Sequence, residues 1–146
     1  MSQRPQPSSI PKEDAAGCDV LIFSGEPSFL EYYRGMFISM GLTPLTTSTP
    51  EATLAILRLA VVAFVVVDQG SEIFESRRVL ERARETHQYA PVLVITRKPD
   101  ANLRREALAL GAAGYLDHPA LPGDIVHELI ASEARAERSV WGSQQE

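Results

Sequence analysis

The run Val61-Val62-Ala63-Phe64-Val65-Val66-Val67, which ends at Asp68, decides the fold of this chain. Its residues are almost all β-branched, and no polar residue interrupts them. A strand with one wet face alternates between apolar and polar residues, whereas a strand covered by helices on both faces is apolar throughout. The run therefore predicts a central strand of a parallel sheet, with Asp68 at its carboxyl end.

Four more short apolar runs share this character, and an amphipathic helical stretch follows each of the five. The predicted strands are 20–23, 42–47, 61–67, 91–96 and 114–116. The predicted helices end at Met40, run from Pro50 to about Ala60, begin at Ser71 or Glu72, run from Pro99 or Asp100 to Gly111, and begin after Pro122. This alternation predicts an α/β fold: a doubly wound, five-stranded parallel sheet of the flavodoxin-like (βα)5 type.

The length of 146 residues suits a single domain. Residues 1–17 are rich in proline and polar residues and offer no apolar face, so we predict a flexible N-terminal tail there. Polar residues resume beyond Arg135. We therefore place the domain at 18–138 and a flexible C-terminal tail at 139–146.

The composition narrows the choice of partner and compartment. A formal charge of -5 argues against nucleic-acid binding, which needs clustered lysine and arginine. The single cysteine, Cys18, cannot form an intramolecular disulfide, and the N-terminus has no signal-peptide pattern. No apolar run is long enough to cross a bilayer as a helix. We expect a cytoplasmic protein that binds another protein or a small ligand.

Ligand sites of doubly wound sheets lie at the carboxyl ends of the strands. In this chain those ends carry the following residues: Ser24, Gly25, Glu26, Asp68, Thr96, Arg97, Asp117 and His118. We expect these side chains to line one pocket.

In several of these residues the chain resembles the receiver domain of two-component response regulators. The same resemblance is carried by the run Gly111-Ala112-Ala113-Gly114-Tyr115-Leu116 and by Pro119. The resemblance spans about 19–138. It implies that Asp68 is the phosphoacceptor, that Thr96 senses the phosphoryl group and that Tyr115 is the switch aromatic.

The chain departs from the family pattern where the phosphoryl chemistry takes place. Ser24 and Gly25 occupy the positions of the acidic pair that holds magnesium, and His118 replaces the usual lysine. Magnesium prefers carboxylate oxygens, and it neutralises charge during phosphoryl transfer. Asp68 and Glu26 are weak candidate ligands, so we expect no firmly bound cofactor.

Arg97 follows Thr96 at a position that is usually small in receivers. A guanidinium there can pair bidentately with Asp68 and imitate an occupied pocket. His118 is a second candidate partner for Asp68. Either pairing would hold the domain in one state.

Simpler interpretations stay open for three of these residues. Asp68 can cap the loop that follows it, Thr96 can satisfy backbone groups, and Tyr115 can be an ordinary half-buried aromatic. The sequence has no zinc-ligand spacing, no Walker lysine and no nucleophile elbow, so we do not expect an enzyme.

The hypothesis is a stand-alone atypical receiver that signals through protein contacts, with little magnesium-dependent phosphorylation. Its partner would be a signalling protein, and residues 100–135 could form a homodimer face. One alternative is a working phosphoreceiver in which Asp68 accepts a phosphoryl group from a histidine kinase. Another is a flavin- or ligand-binding protein on the same scaffold.

Overall fold

The structure is a computed structural model that describes residues 18–70, 77–86 and 90–144. The strands are β1 (Val20–Phe23), β2 (Pro44–Thr47), β3 (Phe64–Asp68), β4 (Val92–Thr96) and β5 (Gly114–Asp117). The helices are α1 (Pro27–Ser39), α2 (Pro50–Leu59), α3 (Arg77–Thr86), α4 (Ala101–Ala109) and α5 (Pro122–Gln144). Strands and helices alternate along the chain, as predicted.

All five strands are parallel and form one sheet in the order β2-β1-β3-β4-β5. Helices α1 and α5 contribute to an apolar cluster on one face, and α2, α3 and α4 contribute to a cluster on the other. The predicted doubly wound, flavodoxin-like (βα)5 fold is confirmed. The sheet order brings the carboxyl ends of β1, β3, β4 and β5 side by side.

The central strand is shorter than its sequence run indicates. β3 begins at Phe64, and Val61 lies outside the sheet with 81% of its surface exposed. Valine content alone extended the predicted strand too far, because residues 61–63 connect α2 to β3 before pairing begins. From Phe64 to Asp68 every residue is buried, as expected for a strand covered on both faces.

Local signals account for the helix starts near the site. Pro27 occupies the first turn of α1, where a missing N–H leaves no bond unmade. Asp100 caps α4 by accepting hydrogen bonds from the backbone N–H groups of Asn102 and Leu103. The predicted start of the third helix at Ser71 or Glu72 lies outside the described residues.

The last helix continues beyond the predicted domain end. α5 is helical through Gln144, so the tail predicted from residue 139 lies largely within a helix. Ile125 is fully buried, whereas Val126 and Ile130 on the same helix are 42% and 62% exposed. Among the described residues, no helix is long and apolar enough to cross a membrane. The boundaries at 18 and 138, and the N-terminal tail, stay predictions.

Candidate functional site at the carboxyl ends of the strands

Asp68 ends β3, and its carboxylate is almost completely buried, with 7% of the residue exposed. The Oγ–H of Ser24 donates to its Oδ2 at 2.7 Å, and the backbone N–H of Gly70 donates to its Oδ1 at 3.1 Å. The bond from Gly70 is the loop-capping contact that the simpler interpretation of Asp68 predicts. Each carboxylate oxygen therefore has a donor from the chain itself.

Ser24 links this carboxylate to the turn after β1. Its side chain is fully buried, and its Oγ also accepts the backbone N–H of Glu26 at 2.9 Å. One hydroxyl thus fixes the turn before α1 and donates to Asp68. A carboxylate at this position would repel Asp68 unless a cation lay between them, whereas the hydroxyl bonds to it directly.

Arg97 and Glu26 lie at the rim of the pocket. Arg97 Nη1 is 3.6 Å from Glu26 Oε2, and the two side chains are 42% and 59% exposed. In this structure Arg97 pairs with Glu26 and not with Asp68, whose donors are Ser24 and Gly70. The guanidinium reaches across the pocket edge to the other exposed charge.

His118 also bonds elsewhere than Asp68. Its Nδ1 lies 2.7 Å from the hydroxyl of Tyr33, and its ring stacks on Phe29 at a centroid distance of 5.8 Å. Burial, and then the positive charge of Arg97, lower the pKa of His118, against a smaller opposing effect of Asp68. The lowered pKa favours the neutral imidazole, whereas the lysine that the receiver resemblance implies at this position would carry a charge.

Tyr33 is a site residue that the sequence analysis missed. It is fully buried on α1, and its hydroxyl accepts the backbone N–H of Ala120 at 3.0 Å while bonding to His118. Because the hydroxyl has one hydrogen, its natural role toward Nδ1 is donation, which fits a neutral imidazole. Burial raises the pKa of Tyr33 to about 12. The signal available was the aromatic spacing of Phe29, Tyr33 and Phe37 on one helix face.

Thr96 ends β4 and is fully buried. Its Oγ1 donates to the carbonyl of Lys98 at 3.0 Å and accepts the N–H of Lys98 at the same distance. These bonds hold the turn after β4, as the simpler interpretation of Thr96 predicts. A phosphoryl-sensing role for Thr96 stays a prediction.

Gln69 is the second residue that the sequence analysis missed. It follows Asp68, is fully buried, and its Oε1 accepts the hydroxyl of Tyr115 on β5. Its Nε2 is buried without a hydrogen-bond partner. The half-buried Tyr115 is thus tied inward to the residue beside the candidate phosphoacceptor. The available signal was an amide directly after the strand-end aspartate.

A magnesium ion does not fit the residues that the structure describes at this site. No group of three or more metal-ligating side chains occurs among them. Asp68 Oδ2 is engaged by a hydroxyl, Gly25 has no side chain, and Glu26 pairs with Arg97 at the rim. One engaged carboxylate is a poor donor set for an ion that demands octahedral oxygen coordination.

The fold agrees with that of solved receiver structures. A CheY-like receiver domain protein from Methanospirillum hungatei JF-1 matches with a TM-score of 0.70 and 17% identity, over 84% of this chain and 98% of that one. Chemotaxis protein CheY4 of Vibrio cholerae matches with a TM-score of 0.68 and 20% identity, over 78% and 97%. This chain has the receiver fold.

A receiver-fold response regulator from Burkholderia pseudomallei, solved with a phosphorylated aspartic acid, calcium ion and citrate, matches with a TM-score of 0.71 and 20% identity. The match covers 84% of this chain and 74% of that one. No protein-family model and no curated protein sequence matches this chain. The receiver fold is therefore recognised from three-dimensional similarity, at low sequence identity.

Proposed function

We propose that this chain is an atypical receiver that acts in signal transduction through protein contacts, without normal magnesium-dependent phosphorylation. One observation carries the proposal: the hydroxyl of Ser24, at an acidic-pair position, donates a hydrogen bond to Asp68 Oδ2 at 2.7 Å. Phosphoryl transfer to a carboxylate depends on a cation that neutralises charge on the transferred group. Here the candidate acceptor is engaged by a neutral side chain of its own domain.

The cationic groups at the pocket support the same proposal. The lowered pKa of His118 favours its neutral form, and its ring bonds to Tyr33. Arg97 is paired with Glu26 at the exposed rim. Neither residue offers a fixed buried cation to a phosphoryl oxygen beside Asp68. We expect no enzymatic activity of this domain on a separate substrate.

The bond between Tyr115 and Gln69 supports a single predominant state. Tyr115 occupies the position of the family's switch aromatic, and its inward orientation is held by a buried amide. The bond joins a hydroxyl to a side-chain amide and involves no atom of Asp68. The proposed receiver presents one surface to its partners whether or not a phosphodonor is present.

The partner surface we propose is the α4–β5–α5 face, defined as residues 100–135. It carries four large apolar side chains that are 42% to 62% exposed: Leu108, Leu121, Val126 and Ile130. Exposed apolar side chains on one side of a small domain favour docking of a protein. A signalling protein or a second copy of the chain is the proposed partner, in the cytoplasm.

A phosphorylation assay tests the proposed function. The purified chain is incubated with acetyl phosphate and magnesium, and its intact mass is followed. We expect no phosphorylated species. The variant Ser24→Asp/Gly25→Asp/His118→Lys, which rebuilds the receiver pattern, should gain one phosphoryl group, and adding Asp68→Asn should abolish that gain.

A working phosphoreceiver is the second candidate function, favoured by the position of Asp68 at the end of β3 and of Thr96 at the end of β4. In that case the unmodified chain would accept one phosphoryl group from acetyl phosphate, and Asp68→Asn alone would prevent it. A histidine kinase would then be the natural donor. This result would overturn the proposed function.

A further inference from the structure

A groove runs between α2 and α3, on different helices from the pocket at the strand ends. It has a volume of about 310 Å³ and is lined by Glu51, Leu54, Arg58, Arg78 and Arg82. Three of its five lining side chains are arginines and one is a glutamate. The groove is therefore positively charged around a single apolar side chain.

This charge contrasts with the rest of the chain. Helices α2 and α3 together carry five arginines and three glutamates, a net charge of +2. The whole chain carries -5. A local reversal of sign in an acidic protein attracts acidic partners to one place and repels them from elsewhere.

Two arginines of the groove form exposed ion pairs within the domain. Arg78 Nη1 is 3.8 Å from Glu51 Oε1, and these side chains are 68% and 73% exposed. Arg82 pairs with Glu85 one turn along α3, and both of these side chains are more than 60% exposed. Exposed pairs of this kind exchange readily with water and with other carboxylates.

Arg58 lies in the last turn of α2 and is exposed. Within the described part of the chain, no acidic group lies within ion-pair distance of it. Glu51 and Arg58 are separated by about 10 Å along the helix axis, at a rise of 1.5 Å per residue. Arg58 therefore lies at one end of the groove, and Arg78, which pairs with Glu51, lies at the other.

We propose that the α2–α3 groove binds an acidic segment of a partner protein. Two carboxylates about two helical turns apart would pair with Arg58 at one end and Arg78 at the other. An apolar side chain between them would contact Leu54. The groove is independent of Asp68, so this interaction does not require phosphorylation.

Charge complementarity favours an acidic protein segment over nucleic acid. A nucleic acid presents a continuous row of phosphates and requires an extended basic track. The groove offers three cations interrupted by Glu51, on a chain whose net charge repels a polyanion. An apolar lining residue also suits a peptide better than a phosphate backbone.

Fluorescence anisotropy with a labelled Glu-rich peptide tests the proposal. The probe is a helical peptide of about 12 residues with a central leucine, long enough to span the groove. Its matched control replaces every glutamate with glutamine. At low salt we expect the glutamate peptide to bind, the glutamine peptide not to bind, and raised salt to weaken the complex.

Two double variants locate the binding surface. Arg58→Glu/Arg78→Glu should weaken peptide binding by at least about tenfold, since each reversal turns attraction into repulsion. Arg34→Glu/Lys98→Glu changes the net charge equally at exposed positions outside both the groove and the α4–β5–α5 face, and should leave binding nearly unchanged. Circular dichroism confirms that both variants are folded, and Arg58→Gln/Arg78→Gln should show an intermediate loss.

Three results would overturn the proposal. The first is that the unmodified chain fails to bind the glutamate peptide at low salt. The second is that the Arg34→Glu/Lys98→Glu variant loses as much affinity as the groove variant, which would make the effect one of net charge. The third is that single-stranded DNA of matched charge binds the groove as tightly as the peptide.

Discussion

The buried and the exposed polar groups at the strand ends are organised differently. Ser24 and Asp68 are 0% and 7% exposed and meet through a hydroxyl-to-carboxylate bond of 2.7 Å. Arg97 and Glu26 are about half exposed, and their charges approach only to 3.6 Å. The buried groups are satisfied by hydroxyl and backbone donors, whereas the ion pair of Arg97 and Glu26 lies in contact with water.

The buried hydrogen bonds and the exposed ion pair should therefore differ in how much they contribute to the stability of the fold. Hydrogen bonds made by buried groups are expensive to break, because the orphaned partner stays desolvated. An exposed ion pair contributes little, because water and salt screen it. Substitutions in the interior of the site should therefore destabilise the fold, and substitutions at its rim should not.

The largest effect is expected for Tyr33→Phe. It removes the acceptor for the N–H of Ala120 and the partner of His118 Nδ1 in a buried place, at a cost of about 2 to 3 kcal/mol. Tyr32→Phe is the control, since that neighbouring ring is 40% exposed, and should change the free energy of unfolding by less than about 0.5 kcal/mol. Urea denaturation measures both, and equal losses would contradict the expectation.

A smaller loss is expected for Ser24→Ala. Asp68 Oδ2 and the N–H of Glu26 would both lose their partner, which should cost about 1 to 2 kcal/mol. Ser39→Ala is the matched control, because its exposed hydroxyl bonds to carbonyls of its own helix. If Ser24→Ala is no more destabilising than Ser39→Ala, the hydroxyl does not support the buried carboxylate.

The next effect appears in the pH dependence of stability. The pKa of His118 is lowered below its ordinary value of 6.5 by burial and then by Arg97, with Asp68 opposing. As the pH falls, the unfolded chain therefore protonates His118 before the folded chain does. The contribution of neutral His118 to stability is fully present above about pH 6.5 and is lost as the pH drops below that value.

His118→Asn should reduce this acid-induced loss, measured by urea midpoints at about pH 7.5 and pH 5. Asp68 and Arg97 remain in the variant, so their own contributions cancel in the comparison. His127→Asn, at an exposed residue of α5, is the matched control for the substitution itself. A loss that is identical with and without His118 would contradict the assignment.

The smallest effect is expected at the rim. Arg97→Gln breaks the pair with Glu26 and should change the free energy of unfolding by less than about 0.5 kcal/mol. Glu26→Gln should have the same small effect, and high salt should erase it. A cost above that of Ser24→Ala would reverse the ranking of interior and rim.

The fold was predictable because parallel strands covered on both faces are unbroken apolar runs, and helix signals such as Pro27 and Asp100 lie between them. Strand ends were less certain. Valine occurs in the connection at Val61 as readily as in β3, and composition does not reveal where pairing starts. The chain positions of the site residues were predictable for the same reason, since they follow from where the strands stop.

The contacts of the site residues were not predictable from their types. Arg97 was matched to Asp68 by charge, but the shorter Ser24 side chain reaches the carboxylate directly and the guanidinium extends to Glu26. Tyr33 was missed because its helix face seemed purely structural, and Gln69 was missed because it lies one residue beyond the end of β3. Pairing depends on side-chain length and direction, which a list of strand ends does not contain.

The bond between Ser24 and Asp68 has a consequence for how information would pass through the proposed receiver. If the candidate acceptor is not phosphorylated, as proposed, the output of the domain would not follow changes in the activity of a kinase. Its output would instead follow the number of copies in the cell, so that synthesis and proteolysis set the signal. Such a component would respond to slow changes in its own concentration rather than to rapid changes in phosphorylation.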